Sequence, residues 1–471
     1  MIHRASIFIF TWALMGANPT LMRADWVTFA RGGSVELPTD VRGETVGLIV
    51  PWGRAEFPRA AISSIIPADS PADEWRRRRE RAEQSPSVAD RFGAAWWALE
   101  HGLTEESIAM LRASAAAPHA EPHAPLDRVM GMLGLLEQAT PEPDTLPVLK
   151  LIGTADWNEL SGRHVVLLSR ASPEVAAERL ALLDRVVTTY YLVLAAHGLE
   201  LPLPPRKLIS VLFDRRADYQ KALSRIEAEP FSNTQGYYHP ELKVVFAFDT
   251  RSSSTQAMAR RDLGVRRAAA NLTPEQRVEI DRQALLLDLQ WKTVDLGIAA
   301  HETVHQLVAA SRLVERFDGW PNWLHEGFSA QFEVIQAGRW VGVGRDNRSR
   351  HDDLIASQSP PQLLRLLQDQ GLTHGYHRDR YAEAWALVYF LRKEKPGEFM
   401  NYLHLLRNPR GDPQEGSTEI SFREAFGGNL NRIQAEWRSF LRDQRSPAGG
   451  SLVRLRRPGS SAPVATDSPD R

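Results

Sequence analysis

The spacing of apolar and polar positions changes character several times along the chain. From Asp25 to about Pro67, short runs rich in β-branched and aromatic residues, such as "DWVTF" and "TVGLIV", are separated by Gly-Gly, Pro-Thr-Asp and Pro-Trp-Gly turn signals. This predicts a small β module over 25–67, SH3-like, with four or five strands. Over 71–145 the period becomes helical. Phe92, Trp96 and Leu99 fall at i, i+4 and i+7 on a helix ending near Gly102, with Thr104 placed to cap the next. These paired helices have no second copy at a fixed period, so a solenoid is not expected. The proline-rich stretches "APHAEPHAP" and "ATPEPDTLP" place linkers near 117–125 and 139–147.

Past the second linker the pattern alternates. "RHVVLLS" (163–169) and "KLISVLFD" (207–214) read as strands, and the 173–198 stretch between them as a long amphipathic helix. "RADYQKALSRI" reads as a helix, and "TQGYYHPELKVVFAFD" as a hairpin turning at His239-Pro240. The polar, Arg-rich stretch 251–292 reads as a helix-prone insertion, and the remainder to about residue 445 is helical. The fold class expected for 147–445 is therefore α+β, a mixed sheet followed by a helical subdomain. Residues 446–471, rich in Pro, Ser and Gly without an apolar period, read as a disordered tail.

The first residues, "MIHRASIFIFTWALMGANPTLMRADW", have a basic start, a short apolar run and then small and polar residues. This layout predicts a secretory signal peptide over 1–24 and an exported protein, periplasmic or extracellular. No later stretch approaches the ~20 apolar residues of a membrane helix, so no integral membrane segment is expected after signal removal. With 57 basic against 58 acidic residues the formal net charge is −1, which gives no global field for nucleic acid. The Arg76–Arg79 run is flanked by Glu residues and reads as a solvated helix face. The chain contains no cysteine, which excludes disulfides, thiol nucleophiles and Cys-ligated metals. Any metal must be held by His, Asp or Glu.

One stretch carries chemistry: "AAHETVHQLVAASRLVERFDGWPNWLHEGFSAQFE", residues 299–333. His301 and His305, four apart, project from one helix face as a zinc ion requires. Glu302, beside the first of them, can reach a metal-bound water without ligating the metal. A catalytic zinc needs a third protein ligand. Glu326 lies 21 residues beyond His305, on a segment that Pro321 can start as a helix with Trp320, Trp323, Leu324 and Phe328 on its apolar face. Glu333 is either a partner of a ligand histidine or an exposed carboxylate. His325 reads as cleft wall or surface. His351, His374, His377 and His404 have no ligand spacing among themselves and read as solvent-facing or structural.

HExxH followed by WLxEGxx and an apolar-Glu ending resembles the gluzincin metallopeptidases, whose aminopeptidase members carry a similar Trp-Leu-x-Glu-Gly-Phe-Ala string. The chain is most similar to the peptidase-MA-like group of exported bacterial proteins, many of them domains of unknown function, over about 160–445. The resemblance implies Zn2+ on His301, His305 and Glu326, with Glu302 as catalytic base. It implies hydrolysis of a peptide or protein substrate. Tyr381, in "HRDRYAEAWALVYFLRKE", would stabilise the oxyanion; otherwise it packs beside Trp385. The aminopeptidase motif Gly-x-Met-Glu-Asn is absent, and "TQGYYHPEL" stands in its place, so specificity for free amino ends is not implied. Two other readings compete: a zinc-retaining binding or structural module without significant peptidase activity, and a helical scaffold in which HETVH is accidental.

Overall fold

A computed structural model of the chain describes residues 24–68, 71–117, 122–153, 156–314, 319–357, 360–368, 378–407 and 417–444. The expected signal segment up to residue 23 and the expected tail lie outside the described residues, as do His374 and His377.

The β module contains β1 (Asp25–Phe29), β2 (Ser34–Leu37), β3 (Thr39–Arg42), β4 (Thr45–Val50), β5 (Gly53–Pro58) and β6 (Ile62–Pro67). They form two three-stranded sheets, ordered β2-β1-β6 and β3-β4-β5, every pairing antiparallel. The strand number exceeds the four or five expected because the Pro-Thr-Asp read as a turn contributes Thr39 and Asp40 to β3, while Pro38, lacking an N–H, separates it from β2. Val27, Phe29, Val46, Leu48 and Phe57 form the core of the module.

Four helices follow: α1 (Pro71–Gln84), α2 (Val88–Glu100), α3 (Thr104–Ala116) and α4 (Ala124–Leu136). Arg76 and Arg77 pair with Asp73 and Glu74 on the exposed face of α1, as the sequence suggests. Ser87 caps α2, but Thr104 caps nothing. It is the first residue of α3, buried, with its hydroxyl 3.4 Å from that of Thr189. The short α5 (Leu146–Ile152) leads into the five-stranded sheet.

There the elements run β7 (Asn158–Ser161), β8 (Val165–Ser169), α6 (Pro173–Ala196), β9 (Leu208–Phe213), α7 (Arg216–Arg225), β10 (Gly236–His239) and β11 (Val244–Phe248). The sheet order is β10-β11-β9-β8-β7; β8, β9 and β11 are parallel, and both edge strands are antiparallel. β8 and β11 are buried at every position, as strands covered on both faces must be. Leu168, Val211, Phe213 and Phe246 pack with Tyr219 and Leu223 of α7, whereas Leu167 and Leu212 pack with Val175 and Ala176 of α6.

After α8 (Ser254–Arg267) comes α9 (Pro274–Ala310), a helix of 37 residues opened by a Thr273–Gln276 capping box. The stretch expected as an insertion is thus partly the N-terminal half of the HETVH helix. Its Leu285, Leu286 and Leu289 complete the core of the β module. Further along, Asp295 forms a buried ion pair with Arg179 of α6 at 2.6 Å and accepts a hydrogen bond from the Thr250 N–H. The remaining elements are α10 (Asn322–Ser329), the short ladder β12 (Ile335–Gln336) and β13 (Arg339–Trp340), α11 (Arg348–Ala356), α12 (Leu363–Leu367), α13 (Arg378–Glu394), α14 (Pro396–Arg407), α15 (Ser417–Phe426) and α16 (Leu430–Asp443). From β7 onward the chain is thus a mixed sheet followed by helices. Among the described residues no helix is long and apolar enough to cross a membrane.

Candidate metal centre

His301 and His305 sit on the buried side of α9, each 7% exposed. Their Nε2 atoms are 3.1 Å apart, because i and i+4 side chains leave a helix on one face. Pro321 starts α10 and its apolar face, Trp323 and Leu324, is fully buried, which turns Glu326 toward the two rings. Gly327 permits this packing, since a Cβ there would run into the Ala384 carbonyl of α13. Glu326 Oε2 is 3.1 Å from His301 Nε2, and Oε1 is 3.7 Å from His305 Nε2.

These three residues converge as a group able to hold a metal ion, with one donor atom from each lying within 4.8 Å of the others. Tetrahedral zinc with bonds of about 2.0–2.1 Å sets neighbouring donor atoms roughly 3.3 Å apart. The two Nε2 atoms at 3.1 Å, and the nearest Glu326 oxygens, Oε2 at 3.1 Å from His301 and Oε1 at 3.7 Å from His305, lie near that value. Both histidines turn Nε2 inward and tie Nδ1 elsewhere, His301 to Glu333 Oε2 at 3.0 Å and His305 to the Ser329 hydroxyl at 3.2 Å. Outer hydrogen bonds of this kind orient metal-binding imidazoles. The donor set fits a divalent cation.

The electrostatics agree. Burial alone would lower the pKa of His301, but the carboxylates of Glu326 and Glu333 outweigh it and raise it to about 10. Burial likewise opposes ionisation of Glu326, yet His305 and His301 hold it well below the usual carboxylate range. For Glu333, Arg350 and His301 overcome burial and bring it to about 2. The centre is therefore built to hold positive charge. Glu302 behaves differently: burial raises its pKa, with the two histidines only partly offsetting the effect.

Several contacts escape sequence reasoning. The Tyr238 N–H of β10 donates to Glu302 Oε2 at 3.0 Å, so the edge strand orients the carboxylate beside the triad. Gly236 allows that approach, because a Cβ there would lie 2.6 Å from Ile298 and 2.9 Å from Glu302. The Gln306 amide donates to the carbonyls of Ile209 and Lys243 at 3.0 and 2.8 Å, fastening α9 to the sheet. Asn347 Nδ2 and Arg350 Nε donate to Glu333 Oε1 at 2.8 and 2.6 Å. None has a local sequence signal, since each partner lies far away along the chain.

Of the remaining candidates, Glu333 contacts His301 and is not an exposed carboxylate. His325 is buried in the cleft wall, its ring 5.4 Å from Trp320 and 6.0 Å from His305, and stands outside the triad. Tyr381 lines the same cleft, half-buried, with the Arg350 guanidinium 5.7 Å over its ring. His351 lies 3.6 Å from Asp346, and His404 is exposed.

The cleft holding these groups has a volume of about 1600 Å³. Trp26 and Glu36 of the β module, His101 after α2, and Tyr237 of β10 all contribute to its walls. Glu100 at the end of α2 accepts backbone hydrogen bonds from Val343 and Gly344, so the helical segment is fixed to the loop that follows β13. No curated protein matches the chain. Residues 295–410, a span that includes His301, Glu302, His305, Glu326, Glu333 and Tyr381, match the family described as "Protein of unknown function (DUF1570)".

Proposed function

We propose that the protein is an exported zinc-dependent peptidase of gluzincin type, with His301, His305 and Glu326 as metal ligands and Glu302 as general base. The observation carrying this reading is the convergence of the three ligand side chains beside a buried, oriented glutamate at the floor of a large cleft. A bound zinc ion supplies Lewis acidity and lowers the pKa of a coordinated water to about 7. Glu302 accepts the Tyr238 N–H through Oε2, which leaves Oε1 to take a proton from the attacking water and pass it to the leaving amine. Tyr381, on the cleft wall, is proposed to donate its hydroxyl to the developing oxyanion.

A zinc-retaining binding module without turnover is the competing reading, favoured by the contribution of both N-terminal segments to the cleft. Metal analysis with a peptide-library digest separates the two. About one zinc per chain is expected in the wild type and in Glu302→Gln, and a large loss of zinc in His301→Ala. Cleavage by Glu302→Gln should fall by about 10²–10⁴-fold. Unchanged metal content in His301→Ala would defeat the metal assignment. Zinc retention without cleavage by the wild type would leave the binding module.

A further inference from the structure

The cleft has an arginine-bearing wall that the proposed chemistry does not use. After β13 the chain runs Gly344-Arg345-Asp346-Asn347-Arg348-Ser349-Arg350, all of it lining the cleft. Arg350 is committed to Glu333. Arg345 and Arg348 are not committed to any carboxylate among the described residues. Half-buried Arg345 donates from Nη2 to the Gln336 amide oxygen at 3.0 Å. Arg348 is exposed, its guanidinium 4.8 Å over the Trp26 ring of the β module. A guanidinium lying over an aromatic ring can keep its in-plane N–H donors for a carboxylate. Glu36, which acts on both arginines through its charge, is engaged by the Gln336 amide, and Asp346 turns to His351. Asn347, between the two arginines, hydrogen-bonds Glu333, the partner of His301. The arginine wall is thus pinned to the metal centre.

We infer that Arg345 and Arg348 form an anion subsite, and that the peptides taken by this cleft present a carboxylate to it. The β module supplies the Trp26 platform for one of the two guanidinium groups, which gives that module a part in substrate choice. The inference rests on the peptide reading of the site. The carboxylate could be an acidic side chain or a free C-terminus, and the two share the same recognition chemistry.

Zinc-loaded Glu302→Gln protein is titrated with fluorescent peptides of one sequence, amidated and differing at one position (Glu, Gln or Lys), and with the Gln peptide bearing a free C-terminus. The Glu peptide, the free-carboxylate peptide or both should bind about tenfold more tightly than the Lys peptide, and which of them does so identifies the source. Arg345→Glu with Arg348→Glu, in the same background, should invert the Glu-to-Lys ratio. Arg345→Glu alone, which spares the Trp26 contact, should move it in the same direction. A merely structural role for the loop would weaken all peptides alike without inverting the ratio. Equal affinity for all peptides, no binding by any, or a preference that survives charge reversal overturns the inference. Carboxylate preference and its reversal, with no cleavage by the wild type, would leave the subsite standing and remove the hydrolytic reading.

Discussion

The dipeptide His-Glu occurs at 301–302 and again at 325–326, each time on a helix bordering the same cleft, and the two copies have opposite assignments. In α9 the histidine belongs to the triad, whereas Glu302 lies beside it and accepts the Tyr238 N–H. In α10 the glutamate faces the centre, and His325 is packed against Trp320. Adjacent residues on a helix point about 100° apart, so only one of each pair can face a given point. Which one does so depends on the apolar face of each helix. Ala300, Val304, Leu307 and Val308 are buried on α9, whereas Trp323, Leu324 and Phe328 are buried on α10. The same two letters are read differently because each helix is rotated by what it must bury.

The strongest test exchanges the roles. Glu326→Ala should lower zinc affinity by more than about a hundredfold, whereas His325→Gln should retain stoichiometric zinc, with isothermal titration as the measure. Equal zinc loss from both variants would erase the asymmetry. A smaller effect is expected one contact further out. Glu333→Gln removes the carboxylate that orients His301 and should cost about 10–100-fold in zinc affinity, again by titration. An unchanged affinity would mean that α9 alone positions that ring.

The mildest test contrasts half-buried His101 with buried His301. His101 stacks on Trp97 at 3.9 Å, and burial lowers its pKa from 6.5 to about 4, against the opposing hydrogen bond to the Trp97 carbonyl. His301, surrounded by carboxylates, is raised instead. Because the folded pKa of His101 is below the unfolded one, the unfolded chain takes the proton first. Its contribution is present above about pH 6.5 and is lost as pH falls toward 4, by up to roughly 3 kcal/mol. Urea midpoints for the wild type and His101→Gln should therefore converge as the pH is lowered from 7 to 4.5. A constant gap across that window would contradict the assignment.

Legibility followed the range of the forces involved. The strands at 163–169 and 207–214, the 173–198 helix and the hairpin turning at His239-Pro240 were visible because apolar period and turn chemistry are local. β7, whose four residues are half-buried or exposed, offered no such period, and the β12–β13 ladder has only two residues in each strand. The N-terminal half of the 37-residue α9 reads only in part as helix from the sequence, because its many charged residues obscure the apolar positions, among them Leu285, Leu286 and Leu289, that meet the β module. No local pattern announces a partner that lies 250 residues away along the chain.

By itself the sequence determined which residues are candidates for chemistry. The lack of cysteine restricts any metal to His, Asp or Glu, and two imidazoles four apart with a neighbouring carboxylate and a later glutamate on an amphipathic segment single out His301, His305 and Glu326 as candidates. The resemblance already pointed to Glu326 and set His325 aside, and the structure brings Glu326 to the two histidines; only the tertiary structure decided that Glu333 binds His301 and that Tyr238 orients Glu302. It also brought Trp26 to Arg348. The physical reason is that helix spacing sets only the angles between side chains. Their direction in space comes from burying the opposite face, and that depends on every element packed against it.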